Sequence, residues 1–299
     1  MHSYYLIGDI IFEFIKNNYL INIDEYFYKS NYIFYKNRNN YYFISEVKNK
    51  KNLYKLYYYF INGYFYKIIF NKKGKFISTY QNKDYILLKY IKYNFKLEDL
   101  IYKNKLALSN KKKLLTWRNI WIDRSNYIEE KYQKIINKYN IIDESIDYFY
   151  GLLEAAIYLL RDYQKYYDYL YLQHIFINYF DYYNPCNIKL DVKERDFSNY
   201  LKYLFFSNKY KDIYIDKIII KNLDNYNFNL ILARLIYPDY YFNLLDELID
   251  NNYIFNNNIF DEIKNIILLV DDYELYISNI YRVLLENKVI KKVDFINLH

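Results

Sequence analysis

The chain has 299 residues, among them 46 Tyr and 21 Phe, and its 42 Lys and Arg exceed its 35 Asp and Glu, so the formal net charge is +7. That length predicts one large domain or two lobes, and a hydrophobic share of 53% supplies a core because tyrosines can pack while their hydroxyls stay in water. A single cysteine excludes an internal disulfide, and no uncharged apolar run reaches the roughly 18 residues that a membrane span needs. The first residues also lack the basic region with which a signal peptide begins. We therefore expect a cytoplasmic protein with no membrane span.

The first third of the chain alternates short aromatic and β-branched runs with turn residues. These runs predict two strands, a helix and three further strands, over residues 31–36, 41–47, 52–61, 64–70, 75–80 and 84–90. Polar residues 37–40 form a predicted hairpin turn, and Gly63 follows the helix. We therefore expect an α+β fold that begins with a small N-terminal antiparallel β lobe carrying one helix, over residues 1–90.

Beyond Tyr90 the apolar residues recur at helical spacing, which predicts a large helical C-terminal lobe over residues 91–299. Arg124 lies inside the apolar stripe of the first long helix, either as a rim residue whose charge reaches water or as one member of a buried ion pair. Gly151 and Ala155, one turn apart, predict a close approach of two helices. The expected helices cover residues 114–139, 146–160, 230–248 with a bend or break near Pro238, 260–270 and 273–286.

The lysines form short clusters at residues 48–51, 72–75 and 111–113, and acidic residues are interleaved with basic ones throughout. Clusters of this length are typical of turns and solvated faces. The abundance of Tyr, Ile, Asn and Lys also indicates AT-rich codons, which favour lysine regardless of function. Nucleic acid is therefore not expected as a partner, and a non-specific nucleic-acid-binding module is only the third hypothesis.

Residues with GC-rich codons are informative in such a chain, and they cluster in three short segments. This clustering indicates where the structural requirements are strict. The residues are Trp117, Arg118, Trp121, Gly151, Ala155, Ala156, Ala233, Arg234 and Pro238.

These segments and one further stretch resemble, in the same order and at similar separations, the YutH-type spore-coat proteins of Bacilli. That group belongs to the CotS-like, aminoglycoside-phosphotransferase-like branch of the protein-kinase-like fold. The most specific feature is a proline, Pro185, followed after six residues by Asp191 and then by Arg195-Asp196. The resemblance implies a two-lobed protein-kinase-like fold, with which the strand order of the first third agrees. The four segments are Trp117 to Arg124, Tyr150 to Leu160, Pro185 to Asp196 and Leu230 to Phe242.

The resemblance also implies an inventory for phosphate transfer: a loop over the phosphates, a strand lysine, a catalytic aspartate and metal ligands. His174-Ile-Phe176 stands where active relatives have His-Gly-Asp, so Phe176, which cannot accept a proton, replaces the catalytic aspartate. No glycine lies between Gly8 and Gly63 to form a glycine-rich cradle. Lys48 is expected to be a turn lysine, and His174 a hydrogen-bonded core or rim histidine.

Asp191 matches the metal-binding aspartate of active kinases. A single carboxylate needs further ligands to hold Mg²⁺, and Asp181, Asn184 or Asn187 would supply them, with His174 nearby in a candidate nucleotide and metal site. The alternative is a turn aspartate that accepts backbone N–H groups. Two neighbours have structural explanations, because Asp196 precedes a helical run and is expected to cap it, while Arg195 would pair with a nearby acid.

The leading hypothesis is a catalytically deficient kinase-like protein with a structural or interaction role, by resemblance in the bacterial spore coat where the host sporulates. Its partners would be other coat or cytosolic proteins. The alternative is an atypical small-molecule phosphotransferase that uses ATP and Mg²⁺, with another group replacing the missing base. Loss of a general base typically removes about two to four orders of magnitude of rate, which disfavours a robust kinase.

Overall fold

The computed structural model describes residues 11–29, 32–57, 59, 66–91, 105–133, 135, 137–163, 166–177, 182–211, 213–250 and 257–290. The strands are β1 (Glu25–Lys29), β2 (Tyr32–Asn37), β3 (Asn40–Glu46), β4 (Lys67–Ile69), β5 (Ser78–Tyr80), β6 (Lys83–Tyr90), β7 (Lys105–Leu114), β8 (Tyr166–His174) and β9 (Ile188–Asp191). The helices are α1 (residues 11–18), α2 (Lys50–Lys55), α3 (Trp117–Tyr132), α4 (Asn140–Leu159), α5 (Glu194–Phe206), α6 (Ile215–Lys221), α7 (Phe228–Ile236), α8 (Asp239–Asp250), α9 (Asn257–Leu268) and α10 (Val270–Glu286).

The chain divides into two compact units. Unit 1 comprises Met1–Leu97 and His174–Lys189, and unit 2 comprises Glu98–Gln173 and Leu190–His299. The expected order of a β-rich first part and a helix-rich second part is confirmed. No helix in the described part of the chain combines the length and the apolarity that a membrane crossing requires.

Unit 1 is built on an antiparallel sheet in the order β1-β2-β3-β6-β4, with β5 also paired to β6. Alternate side chains of its central strands, including Tyr35, Tyr42 and Leu87, are buried with Phe14 and Ile15 of α1 in one core cluster. Helix α1 therefore covers one face of this sheet.

The five predicted strands correspond to β2 to β6, while α1 and β1 were not predicted. Strand β1 is an edge strand with the sequence Glu-Tyr-Phe-Tyr-Lys. Its Phe27 is 37% exposed, so the sequence shows no clear alternation of buried apolar and exposed polar residues. Helix α2 begins two residues earlier than expected because the Asn49 side chain caps it, accepting from the Asn52 N–H at 2.9 Å. The predicted end of this helix at residues 60–63 lies outside the described residues.

A distant segment of the chain, residues 182–188, also packs in unit 1. The Tyr66 N–H donates to the Tyr183 carbonyl at 3.0 Å, and the Asn184 side chain donates to the Ser45 hydroxyl at 2.9 Å. The Asn52 amide donates to the Ile188 carbonyl at 2.6 Å. These bonds hold the segment that precedes β9 against β3, α2 and the start of β4.

Unit 2 is formed mainly by helices. The predicted break at Pro238 is confirmed, since α7 ends at Ile236 and α8 begins at Asp239. The first long helix is shorter than the predicted 114–139. It ends at Tyr132, and the chain then turns through Asn137, whose φ of 61° is incompatible with a continuing helix.

Three strands lie within the mainly helical second part of the chain, and β7 and β8 were not predicted. They form a second sheet in the order β7-β8-β9, in which β7 and β8 are antiparallel. The register of β7 and β8 shifts between Leu108 and Lys113, and β7 carries three consecutive lysines, so no strand pattern is visible there. Strand β8 does carry one, because buried Leu170 and Leu172 alternate with Tyr169, which is 52% exposed.

Gly151 does not mediate the expected close approach of two helices. It lies on the exposed side of α4, and a Cβ at this position would have no neighbour within 4 Å. The helix instead packs through its other face, where Phe149 stacks on Tyr241 with ring centroids 3.9 Å apart.

Candidate functional site

The segment that contains the expected catalytic motif begins where β8 ends, at His174. The His174 Nε2 lies 3.0 Å from the Tyr182 carbonyl oxygen, and its ring stacks on the Tyr182 ring at a centroid distance of 4.4 Å. The residue is 5% exposed. Its ring is therefore engaged by neighbouring groups of unit 1, as a structural histidine would be.

Phe176 follows two residues later and is held by Asn187, which lies at the end of a short 3-10 helix, Pro185–Asn187. The Phe176 N–H donates to Asn187 Oδ1 at 3.1 Å, and Asn187 Nδ2 donates to the Phe176 carbonyl at 2.9 Å. Asn187 is 1% exposed, whereas the Phe176 side chain is 50% exposed. The backbone at position 176 is thus fixed from both sides, while the side chain it presents has no group that accepts a proton.

Asn184 has a turn-forming role in the same segment. Its Oδ1 accepts from the Cys186 N–H at 3.0 Å and caps the 3-10 helix. Asp181, expected as a further metal ligand, lies outside the described residues.

Asp191 ends β9 and belongs to unit 2, where it is 8% exposed. Its Oδ1 accepts from Trp117 Nε1 at 2.9 Å and from the Val192 N–H at 3.0 Å. Its Oδ2 accepts from Arg195 at 3.3 Å and lies 3.1 Å from the same indole nitrogen. A carboxylate has about four lone-pair positions, and three donors, the indole N–H, the Val192 N–H and the Arg195 guanidinium, occupy most of them.

Helix α5 follows Asp191 and begins at Glu194. The expectation that Asp196 caps this helix is wrong, because Asp196 is its third residue and lies within the first turn. There its N–H donates to Gln173 Oε1 at 2.8 Å, and its carboxylate is near the positive end of the helix dipole. The helix starts earlier than predicted because Lys193 already has helical dihedral angles.

The motif residues Trp117 and Arg234 meet in unit 2 beside Asp191. The Arg234 guanidinium lies over the Trp117 ring at 4.9 Å, donates to the Ser198 hydroxyl at 3.0 Å and donates to Asn199 Oδ1 at 3.1 Å. Burial, with a further contribution from Arg195, lowers the pKa of Arg234 to about 10. The cation nevertheless remains charged at neutral pH.

Two further motif residues, Trp121 and Arg124, connect α3 to the region around Pro238. Trp121 stacks on Tyr237 with a centroid distance of 4.4 Å and an interplanar angle of 9°. Arg124 forms an ion pair with Asp246 and donates to the Phe242 carbonyl at 3.2 Å. Of the two explanations for Arg124, the structure therefore agrees with the ion pair, and the Arg124 side chain is 21% exposed.

Lys202 is an important buried residue that the sequence did not single out. Its Nζ donates to the Tyr237 carbonyl at 2.7 Å and to the Asp239 carboxylate at 2.6 Å. Burial lowers the pKa of Lys202 to about 8, although Asp239 opposes this shift. The sequence does carry a clue to Lys202, because the amphipathic pattern of α5 marks one face as apolar and this lysine lies on that face.

The expected magnesium site stays a prediction, because Asp181, one of its expected ligands, lies outside the described residues. No group of three or more His, Cys, Asp or Glu positioned to ligate a metal occurs among them. Asp191 would have to give up bonds from the indole, the guanidinium or the backbone to accept an ion. His174 and Asn187 are in unit 1 and are engaged by their own neighbours.

The fold is similar to that of known phosphotransferases. The crystal structure of an aminoglycoside phosphotransferase from Alicyclobacillus acidocaldarius matches with a TM-score of 0.53 and 8% sequence identity, covering 92% of this chain and 95% of the other. A spectinomycin phosphotransferase in complex with ADP and spectinomycin matches at 0.49 and 12% identity, covering 94% and 98%. No protein-family model and no curated protein matches the sequence. The expected protein-kinase-like fold of the aminoglycoside-phosphotransferase type is confirmed.

Proposed function

We propose that this chain is a catalytically deficient kinase-like protein with a structural or interaction role. The observation that carries the proposal is position 176, where a phenylalanine side chain projects from a backbone fixed by the Asn187 amide. In kinases an aspartate accepts the proton of the attacking hydroxyl. A phenyl ring has no basic group, so Phe176 cannot perform this role in any conformation.

Two other parts of a kinase are not found at the expected elements in the described residues of unit 1. Protein kinases carry the phosphate-binding lysine on the third strand and its glutamate partner on the helix that follows. Strand β3 reads Asn-Tyr-Tyr-Phe-Ile-Ser-Glu and has no lysine, and exposed Lys48 lies beyond its end. Helix α2 reads Lys-Lys-Asn-Leu-Tyr-Lys and has no acidic residue.

The resemblance of four segments to spore-coat proteins narrows the proposal to the bacterial spore coat where the host sporulates, with other coat or cytosolic proteins as partners. Fractionation of a sporulating culture tests this narrower statement. Detection of the chain in coat extracts supports it, and a purely cytoplasmic distribution in mature spores contradicts it.

Calorimetric titration of the intact protein with ATP and Mg²⁺ tests the main proposal. We expect no saturable heat and no transfer of phosphate to an aminoglycoside or to water. Saturable binding together with turnover would instead establish the alternative, an atypical small-molecule phosphotransferase. Asp191→Asn is the informative variant in that case, because loss of binding without loss of folding would identify Asp191 as a ligand.

A further inference from the structure

Two of the three lysine clusters come together on one surface of unit 1. Phe76 contacts three other aromatic rings, at centroid distances of 5.2 Å for Tyr54, 5.5 Å for Tyr57 and 6.5 Å for Phe70. These contacts join α2 and the residues just after it to the turn between β4 and β5. We call the surface formed by segments 47–57 and 70–78 the aromatic-lysine surface.

The rings of this surface are accessible although they contact one another. Tyr54 is 58% exposed, Phe70 49% and Tyr57 36%. Tyr54 and Phe70 meet Phe76 edge-on, at 71° and 84°, which leaves parts of their faces open to a ligand. Exposed aromatic side chains grouped in this way are typical of binding surfaces.

The lysine-bearing turn of this surface has a fixed conformation. The Asn71 Oδ1 accepts from the backbone N–H groups of Lys73 and Lys75, at 3.0 and 2.9 Å. Gly74 adopts a φ of 69°, and its N–H donates to the Asn71 carbonyl at 2.9 Å. The lysines therefore project from a preorganised loop.

The charge of this surface equals the excess charge of the whole chain. Its two segments contain seven lysines and no acidic residue. Of the 42 basic residues of the chain, 35 then remain elsewhere, equal in number to its 35 acidic residues. Within the described part of the chain, Lys50 is the one of the seven that forms an ion pair, with Asp84 at 2.6 Å. The lysines are Lys48, Lys50, Lys51, Lys55, Lys72, Lys73 and Lys75.

We propose that the aromatic-lysine surface binds single-stranded nucleic acid, with lysines on the phosphates and bases stacked on the exposed rings. Single strands present both a regular negative charge and free planar faces, and proteins that bind them without sequence preference combine the same two elements. A duplex buries its base faces, and an acidic polypeptide supplies charge without planar faces. The proposal goes beyond the structural or interaction role proposed above and does not depend on it.

Fluorescence anisotropy with labelled poly-dT and poly-rU strands of about 15 nucleotides tests the proposal. We expect saturable binding whose log affinity falls linearly with log salt concentration, by about 0.7 for each phosphate contacted, or a slope near −3 for four to five contacts. The double variant Lys55→Gln/Lys73→Gln takes one lysine from each segment, so we expect at least about tenfold weaker binding at low salt and a slope shallower by about 1.4. Lys217→Gln/Lys264→Gln removes the same charge from exposed positions of unit 2 and is expected to leave both quantities unchanged.

Tyr54→Leu separates stacking from charge, because it removes an exposed ring and leaves every lysine in place. We expect at least about fivefold weaker binding to the single strand, an unchanged salt slope and no effect on binding of polyglutamate. Three results would overturn the proposal: equal affinity for duplex and single strand, tighter binding of polyglutamate or anionic vesicles than of the oligonucleotide, or equal effects of the unit 1 and unit 2 lysine variants.

Discussion

Asp191 matches a metal ligand of active kinases in its position along the sequence, but in the structure its carboxylate accepts hydrogen bonds from the protein itself. Its carboxylate is 8% exposed and receives an indole N–H, a guanidinium and a backbone N–H. Burial of a carboxylate is costly unless such donors compensate for lost hydration. The donors therefore explain why an acid is tolerated at the buried end of β9.

Trp117→Phe should reveal how much this compensation contributes to stability. The variant removes the indole donor, and we expect the free energy of unfolding to fall by about 2–4 kcal/mol, since a hydrogen bond to a charged group contributes about 1.5–3 kcal/mol and ring volume is lost as well. Trp121→Phe is the control, because Trp121 is similarly buried and stacks on Tyr237, and we expect about 1–2 kcal/mol. Urea denaturation followed by the one remaining tryptophan measures both, and equal losses would contradict the role assigned to the indole N–H.

Glu194 predicts a pH dependence of stability. It is 3% exposed, its Oε1 accepts from the Asn227 N–H at 3.0 Å, and its Oε2 has no hydrogen-bond partner. Burial raises the pKa of Glu194, against the opposing effects of its bond from Asn227 and of Lys193. A raised pKa stabilises the folded protein at pH values below the ordinary glutamate value of about 4.3, and this stabilisation is lost as pH rises through the folded-state value.

Glu194→Gln should therefore be more stable than the parent chain at pH 8 and should lose this advantage at acidic pH, where the parent carboxyl is protonated. Glutamine keeps an acceptor for the Asn227 N–H, removes the charge and places an NH2 group where Oε2 has no hydrogen-bond partner. Urea midpoints of the two proteins from pH 4 to pH 8 test this. Parallel curves across that range would show that Glu194 is not the titrating group.

The sequence alone located the principal residues of the candidate site but not their partners. Phe176 and Asp191 were singled out by the resemblance of short segments to a known family, whereas the Trp117 donor lies 74 residues before Asp191 in the chain. Lys202 was missed because its importance arises from burial among residues that are distant in sequence. Local patterns carry no information about such pairings.

At the scale of elements, prediction succeeded where a strong local signal existed and failed where tertiary pairing decides. Pro238 lacks a backbone N–H and disrupts a helix interior, and strands β2 to β6 carry turn residues at their ends. Strand β7 is lysine-rich and has an irregular register, so pairing with β8 and not local preference makes it a strand. The same argument applies to the edge strand β1.

Alanine substitutions at two glycines are expected to change stability in opposite directions. A Cβ would meet nothing within 4 Å at either Gly74 or Gly151, so space does not distinguish them. Gly74 has a φ of 69° in the β4–β5 turn, and we expect Gly74→Ala to cost about 1 kcal/mol. Gly151 lies inside α4, and we expect Gly151→Ala to stabilise by about 0.5–1 kcal/mol. Thermal and urea unfolding measure both, and the same sign for the two substitutions would refute the backbone argument.

At the scale of the whole molecule, the fold depends on residues other than those that phosphoryl transfer requires. The packing of the sheet and helices depends on apolar residues such as Leu87, Phe149 and Leu153, all of which are buried. Transfer depends instead on a few polar groups, whose replacement leaves that packing intact. Similarity of fold at 8% identity therefore says nothing about whether the chemistry remains.

The proposed catalytic deficiency can be tested by placing an aspartate at position 176. The Phe176 side chain is half exposed and its backbone is fixed by Asn187, so we expect Phe176→Asp to change the free energy of unfolding by less than about 1 kcal/mol. We expect no phosphate transfer from ATP in a radiolabel assay, because β3 still lacks a lysine and the Asp191 oxygens are still engaged. Phe176→Leu controls for loss of the ring. A general base contributes about 10²–10⁴ in rate, so activity of the aspartate variant well above both the parent and the leucine variant would mean that the remaining machinery is intact and that one substitution silenced the enzyme.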